Sequence, residues 1–161
     1  MKVEILLESY SKLASRSSRL LAILVDGFIS FLFIFAISII TGMTKFSTFF
    51  DPTRVDKFDI STSLLSIISV IIFYILIPTF VWKGQTLGKR WLNIAIVKND
   101  DQEVNLKTMF IREIFFVLGY IKIPYFSLVV GFIAFVDPFF IFSADRKTLH
   151  DLIANTKVID V

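Results

Sequence analysis

Apolar residues in this chain gather in long blocks, not at the alternating spacing of a half-buried strand or the three-to-four spacing of a surface helix. Block length is what separates a core helix from a membrane span. Leu20 to Thr41 is a run of 22 residues with a single charge, Asp26, and Leu64 to Trp82 is a run of 19 with none. At about 1.5 Å per residue, each reaches across a hydrocarbon layer of about 30 Å. The pattern predicts transmembrane helices over about 20–41 and 64–82, the second kinked or opened near its end by Pro78. Further on, apolar stretches at Ile111 to Ile121 and Phe126 to Ser143 are broken by Arg112 and Glu113 and by Asp137, with Lys122, Pro124 and Tyr125 between them. They read either as two short spans, about 109–122 and 126–143, or as one surface helix followed by one span.

Between the second and third blocks the period changes. Leu92, Ile94 and Ile96 alternate with Asn93 and Ala95, and a polar turn, Asn99 to Gln102, leads to Val104 and Leu106. This predicts a β-hairpin over about 92–106, outside the bilayer. The β-branched tail from Thr156 to Ile159 can join it only if both lie on one side of the membrane, which requires an even number of crossings between them. Ahead of the first span, Val3, Leu6, Tyr10 and Leu13 recur at helical spacing and predict a short helix on the inner membrane surface. The polar start is long and no small-x-small cleavage site follows the first block, so that block is expected to stay as an anchor.

Composition agrees. Of 161 residues, 55% are hydrophobic and 19% charged, and the mean hydropathy is +0.76. That balance excludes a water-soluble globule and excludes disorder. The lack of cysteine removes disulfides, zinc–thiolate sites and thiol nucleophiles, and a single histidine, His150, removes any multi-histidine metal site within one subunit. Charge sets the orientation, because cytoplasmic flanks are enriched in Lys and Arg. Lys2, Lys12, Arg16 and Arg19 precede the first span, and Lys83, Lys89, Arg90, Lys98, Lys107 and Arg112 follow the second. The intervening loop balances Lys45, Arg54 and Lys57 against Asp51, Asp56 and Asp59. Four crossings put 13 of the 17 basic residues inside, and three put 11 there. The expected fold is an all-α membrane protein: a helical bundle of four transmembrane segments, three being the alternative, with both termini cytoplasmic and a small cytoplasmic β-hairpin. The pI near 9.2 then records membrane orientation and not nucleic-acid binding.

Charges inside spans carry the functional argument. A carboxylate within a span costs about 2.5 to 3.5 kcal/mol on insertion scales, so it faces other helices or water and finds a partner. With four crossings, Asp26 and Asp137 reach a similar depth below the cytoplasmic face. Arg19 stands nearly two turns before Asp26 on the same helix face, and Ser30 continues that face. Pro138 leaves the carbonyl of Ala134 without its helical donor. Two carboxylates, a free carbonyl and hydroxyls suit a hard cation such as sodium, or a proton. The same residues also suit a buried ion-pair network that fixes helix packing.

Other motifs point less far. Gly84-Gln-Thr86-Leu-Gly88-Lys89-Arg90 resembles a phosphate-binding loop but is one residue short and lacks the magnesium-binding Ser or Thr. It reads as a tight cytoplasmic turn, with Lys89 and Arg90 at the headgroups and Trp82 and Trp91 as interfacial anchors. His150-Asp151 reads as a proton relay or as a hydrogen-bonded turn. No catalytic constellation can be assembled from the sequence, so neither an enzyme nor a cofactor is expected.

Taken in order, Arg19 to Asp26, Gly84 to Arg90, Arg112, Val136-Asp137-Pro138 and Arg146 to Val158 resemble the RDD family of small prokaryotic membrane proteins, named for an arginine and two aspartates. The likeness runs from about Leu13 to Val161 and makes 1–161 a single transmembrane domain. It carries Arg146, His150, Asp151 and Thr156 as a cytoplasmic motif and leaves either Asp137 or Asp151 as the second aspartate. Asn155 stands where the family commonly has glycine, and asparagine tolerates the left-handed backbone such a turn needs. The resemblance implies transport, with sodium (lithium, potassium)/proton antiport as the candidate activity. Its expected partners are the lipid bilayer, a monovalent cation and a proton. Four short helices are few for a complete path, so a homo-oligomer is expected as well.

Overall fold

The computed structural model describes residues 12–43, 60–120 and 125–161, and the N-terminal surface helix and the charge-balanced loop between the first two spans lie outside them. Helix α1 (Arg16–Ile40) starts where the Ser15 hydroxyl accepts from the Ser18 amide, a side-chain cap that satisfies one free donor of the first turn. It ends at Thr41, with Gly42 at a φ of 72°. Helix α2 (Ile60–Val70) runs on as a π-helical stretch (Ile71–Val81). Pro78 sits inside this wider coil, and the exit keeps its register, the Trp82 amide donating to the carbonyl of Ile77 at 3.1 Å. The proline thus coincides with an opened helix, as its missing donor predicts.

These two helices are long and apolar enough to cross a membrane, and only 11% and 28% of their apolar windows are buried. A core helix of a soluble protein would be buried over most of such a window. Exposed Leu24, Phe28, Phe31, Ile40, Leu64 and Phe80 leave apolar flanks that lipid suits and water does not.

After Trp82 the chain turns at Gly84 and forms a five-residue helix, α3 (Leu87–Trp91), then β1 (Ile94–Lys98), α4 (Leu106–Gly119), α5 (Phe126–Val136), α6 (Leu149–Ile153) and β2 (Thr156–Asp160). A 3-10 stretch, Asp137–Phe142, continues α5. The sheet corrects the expected 92–106 hairpin. Strand β1 pairs antiparallel with β2, Ile94 opposite Asp160 and Lys98 opposite Thr156, while the 97–103 return is a single bridge. The reason is local: the Asn105 side chain accepts from the Thr108 amide and caps α4, which draws Leu106 into the helix instead of a strand. Asn155 has a φ of 54° at the turn into β2. Ile94, Ile96 and Val158 from the sheet, Ala14 and Ala22 near the start of α1, Ile75 and Met109 make one buried cluster, so the sheet closes one end of the bundle.

Candidate functional site

Two loops bring polar groups to the carboxylates at that closed end. Asp26, on α1, is 5% exposed and lies at the start of α3. Its Oδ1 accepts from the Gly88 amide at 2.7 Å and its Oδ2 from the Thr86 hydroxyl at 2.5 Å, with Lys89 Nζ at 3.8 Å. Thr86 also caps α3, its oxygen accepting from the Lys89 amide. The turn that resembles a phosphate loop therefore holds an anion after all, the carboxylate of its own chain, at a helix N-terminus. Contact is close enough that a Cβ on Gly88 would lie 2.4 Å from the carbonyl oxygen of Ala22. Gly84, at a φ of 86°, has no room either, a Cβ there meeting the carbonyl oxygen of Ile96 at 2.1 Å. Lys89 is turned inward, contrary to the headgroup position expected for it, and burial pushes its amine below the usual range against the pull of Asp26. Arg90 stays outside, stacked 5.0 Å over the ring of Trp82.

Asp151 is fully buried and holds the second arrangement together. Arg19 and Arg112 each donate to it, one to each carboxylate oxygen. Its Oδ2 also accepts from the Thr148 amide at 3.1 Å, while Thr148 accepts in return, a reciprocal cap that starts α6. Thr156 accepts from Arg112 at 2.7 Å and lies 3.3 Å from Oδ1 of Asp151. Burial alone would raise this carboxyl, but Arg112 and Arg19 outweigh it and hold the group well below the usual carboxylate range. Arg19 thus pairs with Asp151 and not with Asp26, and it also donates to the carbonyl of Arg146. The Arg146 guanidinium points toward the carbonyls of Leu13 and Ala14.

Asp137 pairs with His150. One carboxylate oxygen accepts from the His150 amide at 2.9 Å and the other lies 2.5 Å from Nδ1 of the ring. Arg112 stands 2.8 Å from Nε2, and a guanidinium can only donate, so Nε2 carries the lone pair and Nδ1 the proton. His150 is therefore a neutral imidazole bridging Arg112 and Asp137, and burial and Arg112 both push its pKa below the ordinary value.

A cavity of about 430 Å³ opens beside these groups. Of the residues anticipated from sequence, Arg19, Asp26, Ser30, Lys89, Asp137 and His150 line it. Thr86, Gly88, Asp151 and Thr156 stand behind that lining and hold its charged groups, while Gly84, Arg90 and Arg146 lie apart from it. Sequence reasoning passed over Glu113, Tyr74 and Ser69. Ser30 donates to the Tyr74 hydroxyl at 3.3 Å, and the hydroxyl of Ser69, 1% exposed, has no partner. Glu113 is 6% exposed, and its nearest cation is Arg112 Nε at 3.8 Å. The signal for it was the one that drew attention to Asp26: a carboxylate within an apolar block. Among the described residues no group of three or more His, Asp or Glu is arranged to hold a metal ion.

The sequence model of the RDD family matches residues 13–155. An uncharacterized protein of Bacillus subtilis (strain 168), YckC, is 41% identical over 100 residues, an alignment that spans 62% of this chain and 62% of that protein. No solved structure matches the chain.

Proposed function

This chain belongs to the RDD family and is a membrane protein, and on that premise we propose that it exchanges monovalent cations for protons through the cavity between its helices. One observation carries the reading: carboxylates from three separate parts of the bundle, Asp26 on α1, Glu113 on α4 and Asp137 after α5, line a single cavity that also holds serine and tyrosine hydroxyls. Buried acids that share a cavity bind cations and protons in competition, because neither the charged nor the empty state is well solvated there.

In this reading the chain crosses the cell membrane four times with both termini cytoplasmic, and it assembles as a homo-oligomer. The pairing of β1 with β2 supports an even number of crossings between residues 98 and 156. A fold-holding role is the better reading for one part of the network only. Asp151, fully buried between two arginines and a capping amide, has no free capacity left for a ligand.

The test is reconstitution in vesicles loaded with a pH-sensitive dye. An imposed sodium gradient is expected to drive proton movement in the opposite direction, faster than in protein-free vesicles. Equal rates with lithium, sodium, potassium and choline, all matching empty vesicles, would remove the exchange reading.

A further inference from the structure

Resting on the exchange reading above, we infer that Glu113 is the group that trades one proton for one monovalent cation, and that the surrounding buried charges fix this exchange at one for one. Charges of both signs face one another around the cavity. Arg19, Lys89 and Arg112 supply three positive charges. Against them stand Asp26, Asp137, Asp151 and Glu113, and His150 is neutral by its hydrogen bonds. With all four carboxylates ionised, this cluster carries one negative charge in excess among the described residues. A buried cluster resists a net charge, because the lost hydration is not returned. One proton or one monovalent cation restores neutrality, and both together overshoot it.

Which carboxylate accepts the proton follows from the partners. Asp26 has two donors within 2.7 Å, Asp137 two within 2.9 Å, and Asp151 two arginines and an amide. A proton placed on any of these three would displace a donor already in position. Glu113 has no hydrogen bond among the described residues, and only the flank of Arg112 lies near it, at 3.8 Å. Lys89 from α3, Asp26 from α1 and Asp137 beyond α5 face the same cavity from the elements packed around it. Protonating Glu113 therefore breaks the fewest interactions.

The cation has oxygen to meet it. Ser66 and Ser69 stand three residues apart on the face of α2 that lines the cavity, and the Ser69 hydroxyl, buried and unpartnered, needs a ligand or water to satisfy it. Tyr74 and Ser30 continue the oxygen lining. Chemically the step is balanced: sodium enters, the Glu113 carboxylic acid loses its proton to water, and the carboxylate becomes an oxygen ligand of the ion.

The experiment adds sodium chloride to the purified protein in weakly buffered detergent and measures proton release, with choline chloride as the control. The wild-type chain is expected to release close to one proton per subunit. Glu113→Gln, the shape of the protonated acid, is expected to stay folded by gel filtration and release none, while Glu113→Asp restores release with a shifted pH profile. Full release from Glu113→Gln, or a value near two in the wild type, overturns the inference. Should Glu113→Gln fail to fold, an unchanged pH profile in Glu113→Asp overturns it equally. A second arm separates the two readings: in vesicles, sodium-driven proton movement that is present but changes with an imposed membrane potential sinks the one-for-one exchange and leaves transport standing. No movement at all sinks transport itself.

Discussion

Asp151 shows how much one buried carboxylate can be asked to do. Arg19 and Arg112 come from different helices, both are nearly fully buried, and both donate to this single acid. Breaking one partner of such a network leaves a bare buried charge, which destabilises by about 3–5 kcal/mol. Asp151→Asn keeps the shape and removes the charge, so its thermal midpoint in detergent is expected to fall steeply or the chain to fail to accumulate. An unchanged midpoint would mean that the arginines find another counter-charge. His150 makes a second, pH-linked prediction. Its folded pKa is lowered, so between that value and the ordinary histidine pKa near 6.5 the unfolded chain binds a proton that the folded chain refuses. Stability is then complete above about pH 6.5 and declines on acidification by at most about 1.4 kcal/mol per pH unit. Unfolding followed from pH 8 to pH 5.5 should show this slope, and His150→Gln should flatten it.

Helix α3 is too short to hold itself, since an isolated turn or two gains too few hydrogen bonds for the residues it fixes. What holds it is α1, through Asp26 at its N-terminus and through backbone contact at Gly88. Gly88→Ala would push a methyl group against the backbone oxygen of Ala22, an obstacle that cannot rotate away, and overpacking of that kind costs about 1–3 kcal/mol. Lower stability is expected together with increased access of Lys89 to an amine-reactive reagent, and a variant as stable and as closed as the parent would refute the close approach. The contact also marks what the sequence could reveal. The long helices were legible because a block of 19 to 22 apolar residues has few other uses, and Asp26 was legible because a charge within one is expensive. Its partners were not, because Thr86 and Gly88 lie some sixty residues on and nothing local announces them. Helical spacing favoured Arg19 as the partner, yet side chains on a helix lean toward its N-terminus, which carries the Arg19 guanidinium toward the 146–151 loop and away from Asp26. The sheet was legible in part: a turn of the right composition suggested a local hairpin that is only a single bridge, while the β-branched tail at Thr156 to Ile159, which the sequence offered as a joining strand, does pair with β1.

How the whole chain sits in the bilayer turns on α4 and α5. Strand pairing puts residues 94–98 and 156–160 on one side, so the segment between them either goes out and returns or never leaves that face. Helix α4 has 14 residues and is about 21 Å long, short of a full hydrocarbon layer, while α5 with its 3-10 continuation reaches about 28 Å. Tilting cannot lengthen a short helix, so a crossing by α4 needs local thinning of the bilayer or help from the residues that follow it. The charge pattern argues against a single crossing here, since Arg146, Lys147 and Lys157 join the other cytoplasmic basic residues whether α4 and α5 cross twice or stay on the inner face. The absence of native cysteine makes the question directly measurable. Asp100, Asp145 and Tyr125 are exposed, Tyr125 at 87%, and a single cysteine at each can be probed with a membrane-impermeant maleimide in intact cells. Four crossings predict that Tyr125→Cys labels from outside, while Asp100→Cys and Asp145→Cys label only after the membrane is opened. If Tyr125→Cys behaves like the other two, α4 and α5 lie along the inner face, and the cavity they help to line opens toward the cytoplasm alone. That geometry would make it a binding site without a path, and one-for-one exchange at Glu113 would then report ion binding and not transport.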